Sequence, residues 1–178
     1  MFVTRLAAAL AALLAIACAA PIRTELPPED APKPVQKVAV MPLRADPLFG
    51  SAPVEAPAYT TGRVIAALES DTQLRVVDPP DADAILSGFV RRWVERDGTA
   101  SGVRHPASVW LVLELRDRDG RLTWKGTYEE TQAPLSDDVG SLPRAWERGF
   151  RWVTASELAE YGARELVREL AREAKTWS

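Results

Sequence analysis

Residues 109–128 read VWLVLELRDRDGRLTWKGTY, and this stretch decides the fold. Val109, Leu111, Leu113 and Leu115 alternate with Trp110, Val112, Glu114 and Arg116, the period of a strand with one strongly apolar face. Arg118-Asp119-Gly120-Arg121 supplies a tight turn, with Asp119-Gly120 suited to the positive φ angles of a two-residue type I′ loop. Such a loop sets Asp117 opposite Leu122, and therefore Leu115 opposite Trp124, Leu113 opposite Gly126 and Leu111 opposite Tyr128. Directly opposed residues of an antiparallel pair point to the same side, so the apolar odd positions of one strand meet the apolar even positions of the next. A slip by a single residue would mate Leu113 with Lys125 and leave the core side chains without partners.

Working back from the hairpin, Ile85 to Arg96 reads as another strand, with Gly88 suited to a bulge. Lys37 to Leu43 (KVAVMPL) is nearly all apolar, the pattern of a strand buried on both faces, with Pro42 at its end. Residues 44–57 hold Pro47, Gly50, Pro53 and Pro57 and read as a long loop. Tyr59 to Asp71 carries Val64, Ile65, Ala67 and Leu68 at helical spacing, and Leu74 to Val77 makes a short strand, completing a βαβ unit or an antiparallel variant of one. Asp78 to Asp83 is turn chemistry. Forward of the hairpin, residues 133–153 show no periodicity beyond a turn of helix around Pro143 to Arg148. Thr154-Ala155-Ser156-Glu157 then matches a capping box. The helix it opens runs to about Lys175, with Ala159, Ala163, Leu166, Val167, Leu170, Ala174 and Trp177 inward and Arg164, Glu165, Arg168, Glu169 and Arg172 outward. The expected fold is a single two-layer α+β domain: a mixed, mostly antiparallel sheet of about five strands with two main helices packed on it.

The first residues are of another kind. In 1–17, Arg5 is the only charged side chain, Leu6 to Ile16 is an unbroken apolar run, and small residues lead to Cys18. This is a signal-peptide layout, and the run is shorter than the roughly 20 apolar residues a hydrocarbon core requires. Residues 18–35 then contain five prolines and no periodicity, which reads as an extended tether, so the domain is expected to span 36–178. The 47% hydrophobic and 26% charged content is that of a globular protein. A net charge of −3 gives no electrostatic reason to expect a nucleic-acid partner.

Catalytic groups are few. The chain holds one cysteine and one histidine, Cys18 and His105, too few for a structural zinc site. His105 falls in Gly102–Pro106, read as an exposed loop, and no GxSxG elbow exists to pair with it. No phosphate-cradling glycine motif occurs. Asp78, Asp81 and Asp83 lack the glycine and distal glutamate of a calcium loop and read as a solvated turn. No cofactor or metal is expected. Of the six tryptophans, Trp124 is core by the pairing above. Trp146 and Trp152 stand beside Arg148 and Arg151 in the aperiodic segment, an aromatic–arginine composition suited to partner contact.

Ala15-Ile16-Ala17-Cys18 resembles the lipobox of bacterial lipoproteins. The resemblance implies a diacylglycerol on the Cys18 sulfur, cleavage before it and acylation of the new amine. Ala19, instead of aspartate, implies sorting to the outer membrane. ADAILSG at 82–88, the Asp117, Gly120, Trp124 and Gly126 hairpin and the closing helix together resemble the α/β domain of CsgG-type curli secretion lipoproteins and LpoB-type activators of peptidoglycan synthases. The chain lacks the long extra strands of the curli channel. The resemblance implies a non-catalytic, periplasm-facing scaffold or accessory protein held by membrane lipid through Cys18 and binding an unknown envelope protein, with self-association left open. The alternatives are an auxiliary lipoprotein of a lipid or lipopolysaccharide transport system and, last, a cell-wall hydrolase.

Overall fold

The computed structural model describes residues 22–25, 34–49, 52–99, 102–132 and 151–177. Cys18, Trp146 and Arg148, the leader, and the helical turn expected at 143–148 lie outside them. Among the described residues no helix is long and apolar enough to cross a membrane.

The fold grows from the hairpin. Its strands are Ser108–Asp117 and Leu122–Thr131. They pair antiparallel with Leu115 opposite Trp124, Leu113 opposite Gly126 and Leu111 opposite Tyr128, the register that the alternation requires. The turn differs from the expected type. The Gly120 amide donates to Asp117 O, the Asp117 amide to Arg121 O, and Gly120 has φ +79°. This is a three-residue loop closed by a left-handed glycine, not a two-residue type I′ loop. The Asp117 carboxylate stabilises it by accepting from the amides of Asp119 and Arg121, both at 2.9 Å. The accompanying register shift pairs Arg116, not Asp117, with Leu122.

The remaining strands assemble on this pair. In chain order they are β1 Ile22–Glu25, β2 Lys37–Val40, β3 Arg44–Ala45, β4 Arg75–Val76, β5 Ala84–Val94, β6 Asp97–Thr99, β7 Gly102–His105, and the hairpin strands β8 and β9. The helices are α1, Ala56–Asp71, and α2, Ala155–Ala174. A seven-stranded sheet runs β1-β9-β8-β5-β2-β4, with β3 also on β5, while β6 and β7 form a separate ribbon. β2 is parallel to both β4 and β5, so β2–α1–β4 is a true βαβ unit. The other neighbours are antiparallel except β3 on β5. The sheet is larger than the five strands expected, but the class is the same.

Both helices cover one face. Leu158, Ala159, Ala163, Leu166, Val167 and Leu170 of α2 are buried with Val64 and Leu68 of α1 against Leu86, Leu111, Leu113, Leu115, Trp124 and Tyr128. The stripe read from sequence is thus the buried one, extended by Leu158. Thr154 Oγ1 accepts from the Glu157 amide and the Glu157 carboxylate from the Thr154 amide, completing the capping box. Helix α1 starts before Tyr59 because Pro57 fits the first turn, where no amide donor is needed.

Three expectations are corrected. Residues 22–25 are not free tether but an edge strand, with Ile22 opposite Tyr128 and packed against the core, and Glu25 opposite Lys125 with a 3.0 Å ion pair. An edge strand held by backbone bonds needs no apolar alternation, so the proline-rich context hid it. His105 is not in a loop but ends β7, exposed, with Nδ1 3.7 Å from Asp97. The bulge in β5 lies between Val90 and Arg92, not at Gly88. At Gly88 a Cβ would lie 2.2 Å from Val112 O, so the glycine permits close approach of the neighbouring strand.

Candidate functional site

The β5 bulge builds a distinctive surface among the described residues. Before it, Ala84, Leu86 and Val90 point to the helices while Phe89 and Arg91 point to the other face. The extra residue inverts the alternation, so Trp93 turns inward beside Tyr59 and Arg92 pairs with outward Trp110. Two successive arginines therefore lie on one face of the sheet. The Arg91 and Arg92 guanidinium carbons stand 5.0 and 5.5 Å from the Trp110 ring centroid, within cation–π range.

The loop after β3 closes over this pair. The Asp46 amide donates to Val90 O, and the largely buried Asp46 carboxylate receives Arg91 Nε at 3.0 Å and the Leu48 amide at 3.0 Å. That turn lays Phe49 edge-on against Trp110, ring centroids 5.0 Å apart, with Arg91 also 5.3 Å from the Phe49 ring. Arg44 sits 5.4 Å from Phe89 beside it. On the far side, Arg92 pairs with Glu129 at 3.1 Å, and Ser108 bonds Thr131 at 2.7 Å. Trp110 Nε1 is enclosed and has no hydrogen-bond partner among the described residues.

Around this rigid cluster the same loop exposes apolar side chains. Leu48 is 88% exposed, and Phe49 and Val54 are exposed with it. Singly exposed leucines are ordinary, but three large apolar residues on one loop beside stacked arginines have the composition of a contact surface. The sequence carried half of this signal: alternation put Trp110 opposite Leu111, but the loop at 44–57 has no period from which to place Phe49, and nothing marked the bulge.

The contact residues named from sequence divide. Trp146 and Arg148 lie outside the described residues. Arg151 and Trp152 approach the start of α2, where they are engaged structurally. The Arg151 guanidinium forms a two-pronged pair with Glu157, and its carbonyl accepts from Gln132 Nε2 at 2.8 Å. Half-buried Trp152 offers its carbonyl to Arg96. The hydrogen bonds from Arg151, ahead of the Thr154 amide and the charge of Arg151, hold the Glu157 carboxyl down at about 2 despite partial burial. The Glu95 carboxylate accepts from the Ala155 amide at the same helix end.

The acidic turn is likewise structural. The Asp83 carboxylate accepts from the Lys37 and Gln36 amides at 2.9 and 3.1 Å, which holds its pKa below the usual range. Among the described residues no three His, Cys, Asp or Glu side chains gather to hold a metal ion.

No protein-family model matches the chain, and no curated protein does. Its fold is similar to that of PelC from Paraburkholderia phytofirmans, solved as a dodecamer, at 18% identity over 84% of this chain and 96% of that one, with a TM-score of 0.57. It is also similar to protein XCC0632 from Xanthomonas campestris (DUF330), at 17% identity over 85% and 93% of the two chains, with a TM-score of 0.50. At these identities the likeness is one of fold.

Proposed function

We propose that this chain is a non-catalytic lipoprotein, anchored through Cys18 in the outer membrane and facing the periplasm, that assembles with copies of itself as an envelope accessory protein. The observation that carries the reading is the likeness to PelC over nearly the whole of that chain, a protein that assembles as a dodecamer. The leader, the Ala15–Cys18 lipobox and Ala19 support the anchor and its membrane. The finer kinship to CsgG- and LpoB-type domains rests on residues 82–88 and the hairpin.

The self-contact is assigned to the surface of Leu48, Phe49, Arg91 and Trp110. A preformed aromatic–arginine cluster loses little side-chain freedom on binding, and Leu48 supplies apolar area that is solvent-exposed in the single chain. The segment of Trp146, Arg148, Arg151 and Trp152 is retained as the contact for a second envelope protein. Light scattering on the detergent-solubilised protein tests the assembly. The expected mass is a multiple of the single chain, reduced by Leu48→Glu, whose charge would be buried without a partner. A wild-type protein that runs as a single chain at micromolar concentration would refute it.

A further inference from the structure

An extended tether of residues 18–35 would leave the domain free to face the membrane in any orientation, because eighteen steps from Cys18 to Gln36 span up to ~60 Å. Strand β1 removes that freedom. Ile22 is fixed opposite Tyr128, and only residues 19–21 lie between it and Cys18. Four steps of extended chain reach at most ~14 Å.

Distances along β9 show what that reach allows. From Tyr128 to Leu122, beside the β8–β9 turn, is six residues, roughly 20 Å at strand rise, which is beyond the anchor. From Tyr128 to Thr131, at the other end of the sheet, is three residues, roughly 10 Å, which is within it. β1 runs antiparallel to β9, so its first residue, Ile22, is the one nearer that second end. There the ribbon β6–β7 projects from the ends of β5 and β8, and Trp152 and the start of α2 lie beside it. That end exposes Val94, with Arg104 and His105 beside Asp97, while the far turn carries Asp117 and Asp119 among Arg116, Arg118 and Arg121; both ends mix the two signs, and the reach of the chain is what separates them.

We propose that Ile22–Glu25 is a clamp that holds the lipidated Cys18 against one end of the sheet, so that the β6–β7 ribbon faces the membrane surface and the β8–β9 turn points into the periplasm. The proposal rests on the lipidation of Cys18 proposed above. The clamp is held by backbone pairing to β9, by Ile22 on the core and by the Glu25–Lys125 pair.

The full lipoprotein, processed in cells and reconstituted into phosphatidylethanolamine–phosphatidylglycerol vesicles, tests it. A fluorophore is placed on Arg104→Cys or on Asp119→Cys, and energy transfer to a headgroup acceptor is read at each. Acylated Cys18 has no free thiol to interfere. Transfer should be several-fold greater at position 104 than at 119. Two changes should erase the difference: the double variant Arg23→Pro, Thr24→Pro, which removes ladder amides, and a flexible Gly/Ser insertion of about 20 residues between Ala20 and Pro21, which leaves β1 intact and lengthens its lead. Equal transfer at both positions in the unaltered tether, or a difference that survives the insertion, overturns the clamp. Labelling with an alkynyl fatty acid separates the two levels. A labelled protein with equal transfer refutes the clamp alone, and an unlabelled one refutes the anchor and the clamp together.

Discussion

Glycine to alanine in a helix ordinarily stabilises, and in this fold the same substitution should act in opposite directions at two sites. Gly62 in α1 has nothing within 4 Å of where a Cβ would stand. Gly62→Ala should therefore show the bare helix-propensity gain, about 0.5–1 kcal/mol. Gly162 in α2 lies flat on Tyr128: a Cβ would stand 2.4, 2.6 and 2.8 Å from three ring carbons. Carbon atoms rest at about 3.5–4.0 Å, so ring or helix must move by roughly 1 Å. Tyr128 cannot swing away, because it is fully buried and its hydroxyl donates to Glu130. Overpacking of this kind costs about 1–3 kcal/mol, against which the propensity gain is about 1 kcal/mol. At the middle of that range Gly162→Ala should lose about 1 kcal/mol net, leaving the two variants about 2 kcal/mol apart. With a urea m-value of about 2 kcal/mol/M their midpoints should fall on opposite sides of the wild type, about 1 M apart. A Gly162→Ala midpoint at or above that of Gly62→Ala would refute the close helix-on-sheet contact.

Other expectations follow from the same geometry. Leu113→Ala, at a fully buried site, should cost about 2–5 kcal/mol, whereas Lys125→Ala on the opposite face should stay within about 0.5 kcal/mol; urea titration compares them. A chain begun at Gln36 should melt several degrees below one begun at Ala19, because it lacks β1 and leaves β9 as a bare edge; calorimetry measures this. Glu157 has its pKa lowered from 4.5 to about 2, so its stabilising effect is complete above pH 4.5 and fades as pH falls toward 2. The pair is more than a third exposed, so solvent screening reduces the effect to about 1 kcal/mol, and Arg151→Ala should remove most of that acid sensitivity in pH-dependent melting. Cys18→Ser should abolish labelling by an alkynyl fatty acid and release the protein from the membrane fraction.

What the sequence disclosed and what it hid differ by mechanism. Leu111, Leu113 and Leu115 must face a core, and only one register satisfies Trp124 and Tyr128 as well, so the hairpin could be read residue by residue. The α2 stripe and its Thr154–Glu157 box were legible for the same reason: burial on one side of a regular helix leaves a period. β1 and the β6–β7 ribbon leave none, since their pairing is by backbone and most of their side chains meet solvent. The bulge at Val90–Arg92 was hidden because Arg91 and Arg92 look like any polar strand end. Only the inverted alternation beyond them, with Trp93 inward, betrays it. The cluster of Phe49, Arg91 and Trp110 depends on both that bulge and an aperiodic loop. The aromatic–arginine pattern at residues 146–152 is legible by composition alone, and of its described residues Arg151 is tied to Glu157.

Native mass spectrometry of the detergent-solubilised protein, purified from membranes, tests the anchored assembly most directly, because one spectrum reports both copy number and the mass of each copy. The expected result is a defined multimer in which every chain starts at Cys18 and carries the added mass of its acyl chains. A single chain with an unmodified Cys18, or with that cysteine cleaved away, would contradict it.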